Sequence, residues 1–268
     1  PAPYWTTYPE AIVLAGGVPV VIATDDTAGF KVTVAQLEAA RTPRTKVLLF
    51  VSPDNPSGAV YSPDEIAEIG RWAFEHGVWV LTDEIYEHLI YGENEFASMP
   101  MLVPEVADQC VVVNGVAKTY AMTGWRMGYA VWPDSMVDPV TRLCINDHSC
   151  VNAAAQFAGL AALTGPKDAV DEMVRQFDSR RRVIIEALND LPGVRCADAA
   201  GAFYAFPNIS DTGLSAKEAQ DLFLDQAGVA TIAGTSFGEH GEGFVRFSYA
   251  NSTENILRAV DRIRPLIG

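Results

Sequence analysis

Residues Val111–Val131 read VVVNGVAKTYAMTGWRMGYAV. An apolar run, Cys110–Val113, opens the segment as a buried strand. Asn114-Gly115 breaks it, Lys118 follows, Thr123-Gly124 makes a second break, Arg126 comes next, and Met127–Val131 returns to apolar, strand-like sequence. A lysine held between two buried strands is poorly solvated, so its pKa falls and its amine can serve as nucleophile or base near neutral pH. Arg126, eight residues on, is a permanent cation suited to a phosphate. Taken alone, a lysine after a strand is more often an ordinary surface cation.

Toward the amino terminus, strand Val78–Leu81 delivers Asp83, with Tyr86 three residues later. The helix before it begins at Ser62-Pro63-Asp64-Glu65, a capping box with proline at the first helical position, and apolar spacing carries it to about Glu75. The preceding strand, Lys46–Val51, runs into the turn cluster Ser52-Pro53-Asp54-Asn55-Pro56-Ser57-Gly58. In open α/β sheets the carboxyl ends of strands are where ligands bind; Asn55-Pro56 reads equally as turn chemistry alone. Farther back lie helix Val34–Arg41, strand Val18–Ala23, helix Tyr8–Ala15 and an opening loop with Trp5, whose local sequence suits a core anchor. Alternating strands and helices at these lengths predict βαβ units and a mainly parallel sheet with flanking helices.

Toward the carboxyl terminus the pattern changes. Pro133–Ile145, Asn152–Leu163 and Asp168–Leu191 read as helices, and Arg180-Arg181-Arg182 on the last reads as a solvated face. Short strands follow at Val194–Cys196 and Ala202–Phe206, then a helix after the capping box Ser215–Glu218, strands Val229–Ala233 and Phe244–Ser248, and a final helix Glu254–Ile267. This mixture predicts a smaller α+β domain. The expected division is a large domain over residues 1–175 and a small one over 176–268. Arg246 lies in VRFSYA between Val245 and Phe247. It either points outward by alternation or pairs with an anion, because a buried cation without a partner loses its hydration.

The 268 residues are 49% hydrophobic and 20% charged, as in a globular protein with a sizeable core. A net charge of −15 argues against broad affinity for nucleic acid or anionic membranes. No apolar run approaches the ~20 residues of a membrane span and no charged-then-apolar leader opens the chain, so a cytoplasmic location is expected. Cys110, Cys144, Cys150 and Cys196 lack Cys-x-x-Cys spacing and read as reduced thiols, with no metal site expected.

The run AKTYAMTGWRMGYA resembles the Schiff-base lysine segment of the class I/II pyridoxal-phosphate aminotransferases. PYWTTYPE, SPDNPSGAVYS, TDEIYEHLIY, GAFY and VRFSYA match further segments in the family's order. The resemblance implies the aspartate aminotransferase fold, pyridoxal 5'-phosphate as cofactor, and transfer of an amino group between an amino acid and a 2-oxo acid. It implies that Lys118 bonds to the cofactor aldehyde and moves the α-proton, that Trp5 stacks on the ring, and that Asp83 pairs with the ring nitrogen. Tyr86 and Asn55 would meet the phenolic oxygen, Arg126 the phosphate, and Arg246 with Asn55 the substrate carboxylate.

PYWTTYPE and NGVAKTYAMTGWRMGYA favour bacterial aspartate aminotransferases that also accept prephenate, although aromatic, alanine, kynurenine and methionine aminotransferases have similar segments. Another enzyme on the scaffold, such as a carbon–sulfur β-lyase or a decarboxylase, would keep the same residues. A ligand-sensing module would need a basic DNA-binding helix pair, which is not apparent. The family implies a homodimer, with His148–Asn152 approaching the partner's site. Two departures stand out. Gly115 and Ala117 replace the usual hydroxyl residues before the lysine. The chain also opens where family members are roughly a third complete: it is either a piece of a longer protein or an unusual short relative, and if a piece, these residues alone are expected to bind cofactor poorly, without the usual glycine-rich phosphate turn.

Overall fold

The computed structural model describes residues 1–267. In chain order the helices are α1 Thr7–Leu14, α2 Val34–Ala40, α3 Pro63–Glu75, α4 Met99–Leu102, α5 Asp134–Asp147, α6 Ala153–Thr164, α7 Asp168–Asn189, α8 Ala216–Leu222 and α9 Thr253–Ile263. The strands are β1 Val47–Val51, β2 Trp79–Asp83, β3 Cys110–Gly115, β4 Gly128–Val131, β5 Tyr204–Ala205, β6 Ile232–Ala233 and β7 Val245–Ser248. The chain forms two compact units: Arg41–Pro53 with Tyr61–Met173, and Pro1–Ala40 with Asp54–Val60 and Val174–Gly268. The first forty residues thus group with the carboxyl-terminal segment, a pairing that local sequence does not announce.

The first unit carries a four-stranded sheet in the order β1-β2-β3-β4. β1, β2 and β3 run parallel, with Val51, Asp83 and Val113 in register, and β4 returns antiparallel on β3. Val80 is wholly buried, and Leu48, Phe50, Val111 and Val112 nearly so. Burying each such side chain stabilises the fold by roughly 1.5–3 kcal/mol relative to exposure. α3 starts as its sequence requires: Ser62 accepts from the Glu65 N–H while the Glu65 side chain accepts from the Ser62 N–H, and Pro63 fills the first turn. Its inner face is Ile66, Ile69, Gly70, Trp72 and Ala73. α6 lies against Met127 at Gly159, where an added Cβ would collide with the methionine sulfur.

The second unit carries a three-stranded antiparallel sheet in the order β5-β7-β6. Phe30, Phe206, Phe237 and Phe244 form its aromatic core, with Ala59 and Ile232 packed against them. The rings of Phe206 and Phe244 stack at 5.0 Å, and Phe30 meets both edge-on. α8 begins with the second expected capping box, Ser215 and Glu218.

Three expectations are corrected. Val18–Ala23 forms no strand; only Ala23 bridges, to Ala2, and Val18 and Val20 are exposed. A β-prone run needs a neighbour for its hydrogen bonds, and among the described residues it has little. Val194–Cys196 likewise reduces to a single bridge between Arg195 and Asn208. The arginine triplet is not a uniformly solvated face: Arg181 is buried, donates to Asp178 and Asp198, and reaches the carbonyl of Ala199. It occupies the inner stripe with Phe177, Ile184 and Leu188, all buried. Among the described residues no helix is long and apolar enough to cross a membrane.

Candidate active site

In the unit built on the parallel sheet, the carboxyl ends of β2 and β3 supply four of the expected residues or their loops. Asp83 is the last residue of β2, half-buried, and its Oδ1 accepts from the Ile85 N–H at 3.0 Å. Tyr86 is buried in the turn that follows. β3 ends at Gly115, whose N–H donates to Asn114 Oδ1 at 2.7 Å, and the chain then turns through Lys118. The Ala121 N–H donates to the Lys118 carbonyl at 3.1 Å, and Ala121 takes φ +52°, closing that turn. Lys118 is half-buried, with its Nζ 5.8 Å from the centre of the Tyr86 ring.

The expectation of a lysine flanked by two buried strands holds on one side. β3 is buried, whereas β4 is half-exposed, with Gly128 and Val131 open to solvent. Arg126 is exposed, has φ +52°, and donates from Nη1 to the Thr123 carbonyl at 2.9 Å. Next to Lys118, Thr119 is buried and its Oγ1 has no hydrogen-bond partner among the described residues. An orphaned hydroxyl of this kind costs stability in a closed core and suits a place where a ligand supplies the missing partner.

Glu84, directly after Asp83, escaped the sequence reading. Its side chain is buried and accepts from the hydroxyls of Ser98 at 2.9 Å and Thr82 at 3.3 Å. Burial, opposed by those two hydrogen bonds and reinforced by Glu87 and Asp83, pushes its carboxyl up to about 7. Burial, with Glu84 nearby, pushes the Cys110 thiol up to about 12, which makes it inert.

In the other unit the structure brings together Asn55 and Arg246. Asn55 is buried in the turn Asp54–Gly58, and its Oδ1 accepts from Arg246 Nη1 at 2.7 Å. The turn is fixed by Asp54, whose Oδ2 accepts from the Ser57 N–H at 3.1 Å and from its hydroxyl, and by the Gly58 N–H donating to the Asp54 carbonyl. Burial pushes the Asp54 carboxyl up to about 6, against the pull of the Ser57 hydrogen bonds. Gly58 has φ +72°, and a Cβ there would stand 2.7 Å from that of Ala199. Arg246 sits on central strand β7, part-buried, between neighbours β5 and β6. Its guanidinium carbon lies 4.3 Å from the Tyr204 ring centre and 4.8 Å from that of Phe237.

Trp5 follows a strap in which Ala2 pairs with Ile22 and Thr24 and the Tyr4 N–H donates to the Phe237 carbonyl at 3.1 Å. At 37% exposure its ring is no core anchor. The aromatic pair on Arg246 was also missed from sequence. Tyr204 lies inside GAFY, but only strand register reveals that it faces the arginine.

The donor set of the first unit matches the functional groups of pyridoxal 5'-phosphate: an amine for an aldehyde, a carboxylate for a ring nitrogen, a phenol for a phenolate and a guanidinium for a phosphate. The unsatisfied hydroxyl of Thr119, the residue after Lys118, fits the same picture.

A family model described as Aminotransferase class I and II matches residues 1–263. A curated relative named Aspartate aminotransferase, from Streptomyces avermitilis, is 53% identical over 276 residues, covering 100% of this chain and 67% of the relative. The crystal structure of the aromatic aminotransferase from Pyrococcus horikoshii OT3 superposes with a TM-score of 0.96 at 36% identity, covering 99% of this chain and 71% of that one. That of the Thermus thermophilus aspartate aminotransferase with maleate gives 0.92 at 36% identity, covering 99% and 68%. The chain therefore spans roughly two thirds of the length of these relatives.

Proposed function

We propose that this chain, which belongs to the class I and II aminotransferases, transfers the amino group of aspartate to a 2-oxo acid such as 2-oxoglutarate. The observation that carries the reading is the Asn55–Arg246 hydrogen bond. It sets a guanidinium fork, the geometry suited to a planar carboxylate, in a part-buried place where its attraction is little screened. Aspartate is favoured by the name of the Streptomyces relative and by the likeness to the Thermus aspartate aminotransferase solved with maleate.

Pyridoxal 5'-phosphate, when bound, supplies an aldehyde and a protonated ring able to take up electrons released at the substrate's α-carbon. Lys118 would hold it through its amine, Asp83 through the ring nitrogen, Tyr86 and Asn55 through the phenolic oxygen, and Arg126 through the phosphate. Trp5 would add a flat face. The Asp83 carboxylate would stabilise a proton on that ring nitrogen. Arg246 and Asn55 take the α-carboxylate and fix the orientation of the α C–H bond. The Lys118 amine accepts the α-proton and returns it on the way to product, acting as a general base and then an acid.

A homodimer and a cytoplasmic setting complete the proposal. Exposed Leu143, Phe157 and Leu160 on α5 and α6 offer apolar surface that a second copy could cover. A second reading, aromatic amino-acid donors, is favoured by the likeness to the Pyrococcus structure. Incubation with 2-oxoglutarate and either aspartate or tyrosine separates these two by the rate of glutamate formation. Pyruvate and ammonia released from cystathionine, with no glutamate formed, would instead indicate a carbon–sulfur lyase on this scaffold.

A further inference from the structure

We propose that Tyr204 and Phe237 are positioning residues that hold the Arg246 guanidinium so that its in-plane edge is presented to a planar carboxylate. This rests on the reading of Arg246 as the carboxylate clamp and extends it to the residues that aim the clamp.

Strand register produces the arrangement. β5 pairs with β7 so that Tyr204 stands opposite Ser248 and Ala205 opposite Phe247. Side chains alternate along a strand, so Arg246, two residues before Ser248, shares the face of Tyr204 and is its diagonal neighbour. On the other flank Ile232 of β6 stands opposite Arg246, and the chain leaving β6 turns through Gly234–Phe237 and brings back the Phe237 ring. The two rings come from the two flanks of β7. Their centres lie 4.3 and 4.8 Å from the guanidinium carbon, inside the range of a cation–π contact. Both are deeply buried, Tyr204 at 6% and Phe237 at 0% exposure, so neither can swing away without opening the core.

This packing has a directional consequence. All five guanidinium donors lie in one plane, and a ring that holds the cation by its own π-face offers those donors no lone pair. Rings therefore hold the group without consuming hydrogen bonds. One in-plane donor is already committed to Asn55 at 2.7 Å. A carboxylate that meets an edge of that plane accepts two parallel hydrogen bonds, the bidentate geometry of an arginine–carboxylate pair. A flexible arginine loses that alignment; a clamped one keeps it.

The test measures succinate affinity by isothermal titration for the wild type, R246A, Y204L, Y204F and F237L. The expected result is a loss of about 5–30-fold for Y204L, the scale of one partly desolvated cation–π contact. Y204F, which keeps the ring, should stay within about twofold. In steady-state assays Y204L should raise KM for the amino acid far more than it lowers kcat. The Arg246 Nε–Hε resonance supplies a readout independent of activity. Ring currents displace it in the wild type and in Y204F, and Y204L and F237L should each move it toward the position of a solvated arginine. That signature also decides F237L, whose ring belongs to the Phe30 cluster. Unchanged succinate affinity in R246A would overturn the clamp reading itself. A large loss in R246A, with Y204L and Y204F both at wild-type affinity and an unmoved resonance, would overturn the positioning role alone.

Discussion

Arg246 Nη1 lies 2.7 Å from Asn55 Oδ1, joining residues 191 positions apart in the chain. Each residue has a local explanation: an asparagine after a strand for a turn, an arginine in a strand for an outward-facing charge. Their meeting is what a local explanation leaves out, because a part-buried guanidinium needs partners, and here it has an amide oxygen and two aromatic rings.

Replacing Arg246 with alanine should reduce kcat/KM for the amino-acid donor by about 2–5 kcal/mol in transition-state terms, the scale for removing one member of a buried charge pair. Steady-state kinetics reads it directly. A loss under about tenfold would show that the carboxylate is held elsewhere.

Gly58 is required by its backbone and by its neighbour. With φ +72° and the Ala199 Cβ 2.7 Å from where its own would be, Gly58→Ala should cost about 1–3 kcal/mol. It should also loosen the turn that carries Asn55. Urea unfolding measures the first effect, and a midpoint unchanged from wild type would contradict the packing.

Arg181 and Arg182 make a matched comparison. The Arg181 side chain is 8% exposed and pairs with Asp178 and Asp198, whereas that of Arg182 is 69% exposed and pairs, among the described residues, with Asp178. Arg181→Met should destabilise by about 1–3 kcal/mol, less than a fully buried pair because Asp198 is exposed. Arg182→Met should stay within about 0.5 kcal/mol. Equal denaturant midpoints for the two variants would contradict the assignment.

The Glu84 carboxyl is raised by burial from an ordinary 4.5 to about 7. The folded state therefore holds this proton more tightly than the unfolded chain does. The stability it contributes is complete below about 4.5 and is lost as pH rises through about 7. Glu84→Gln, which keeps the hydrogen-bonding shape without titrating, should remove that part of the slope, an effect of a few kcal/mol at most. Thermal melts of both proteins between pH 5 and pH 8, a window of about 3 units around the shifted value, check it. Parallel curves would mean that Glu84 titrates normally.

How much of this was legible in the sequence depended on whether the cause was local. The Ser62 and Ser215 capping boxes placed the starts of α3 and α8, because a cap is decided within four residues. The parallel core strands followed from short apolar runs between helices. Val18–Ala23 has the same apolar character yet forms no strand, since pairing depends on what lies alongside. Arg181 was misread with its neighbours, although Phe177, Ile184 and Leu188 already marked the helical stripe on which it lies. Among the site residues, Lys118, Asp83, Tyr86 and Arg126 were legible through the family resemblance of the segments that hold them. Tyr204, Phe237 and Glu84 act through contacts that only the folded register creates.

The central claim is that Lys118 is the amine that takes the cofactor. Mixing the protein with pyridoxal 5'-phosphate, reducing with borohydride and mapping the modified peptide by mass spectrometry tests it most directly. The phosphopyridoxyl group should be found on Lys118 and vanish in Lys118→Ala. A label on Lys167 or Lys46, with Lys118 unmodified, would contradict the account.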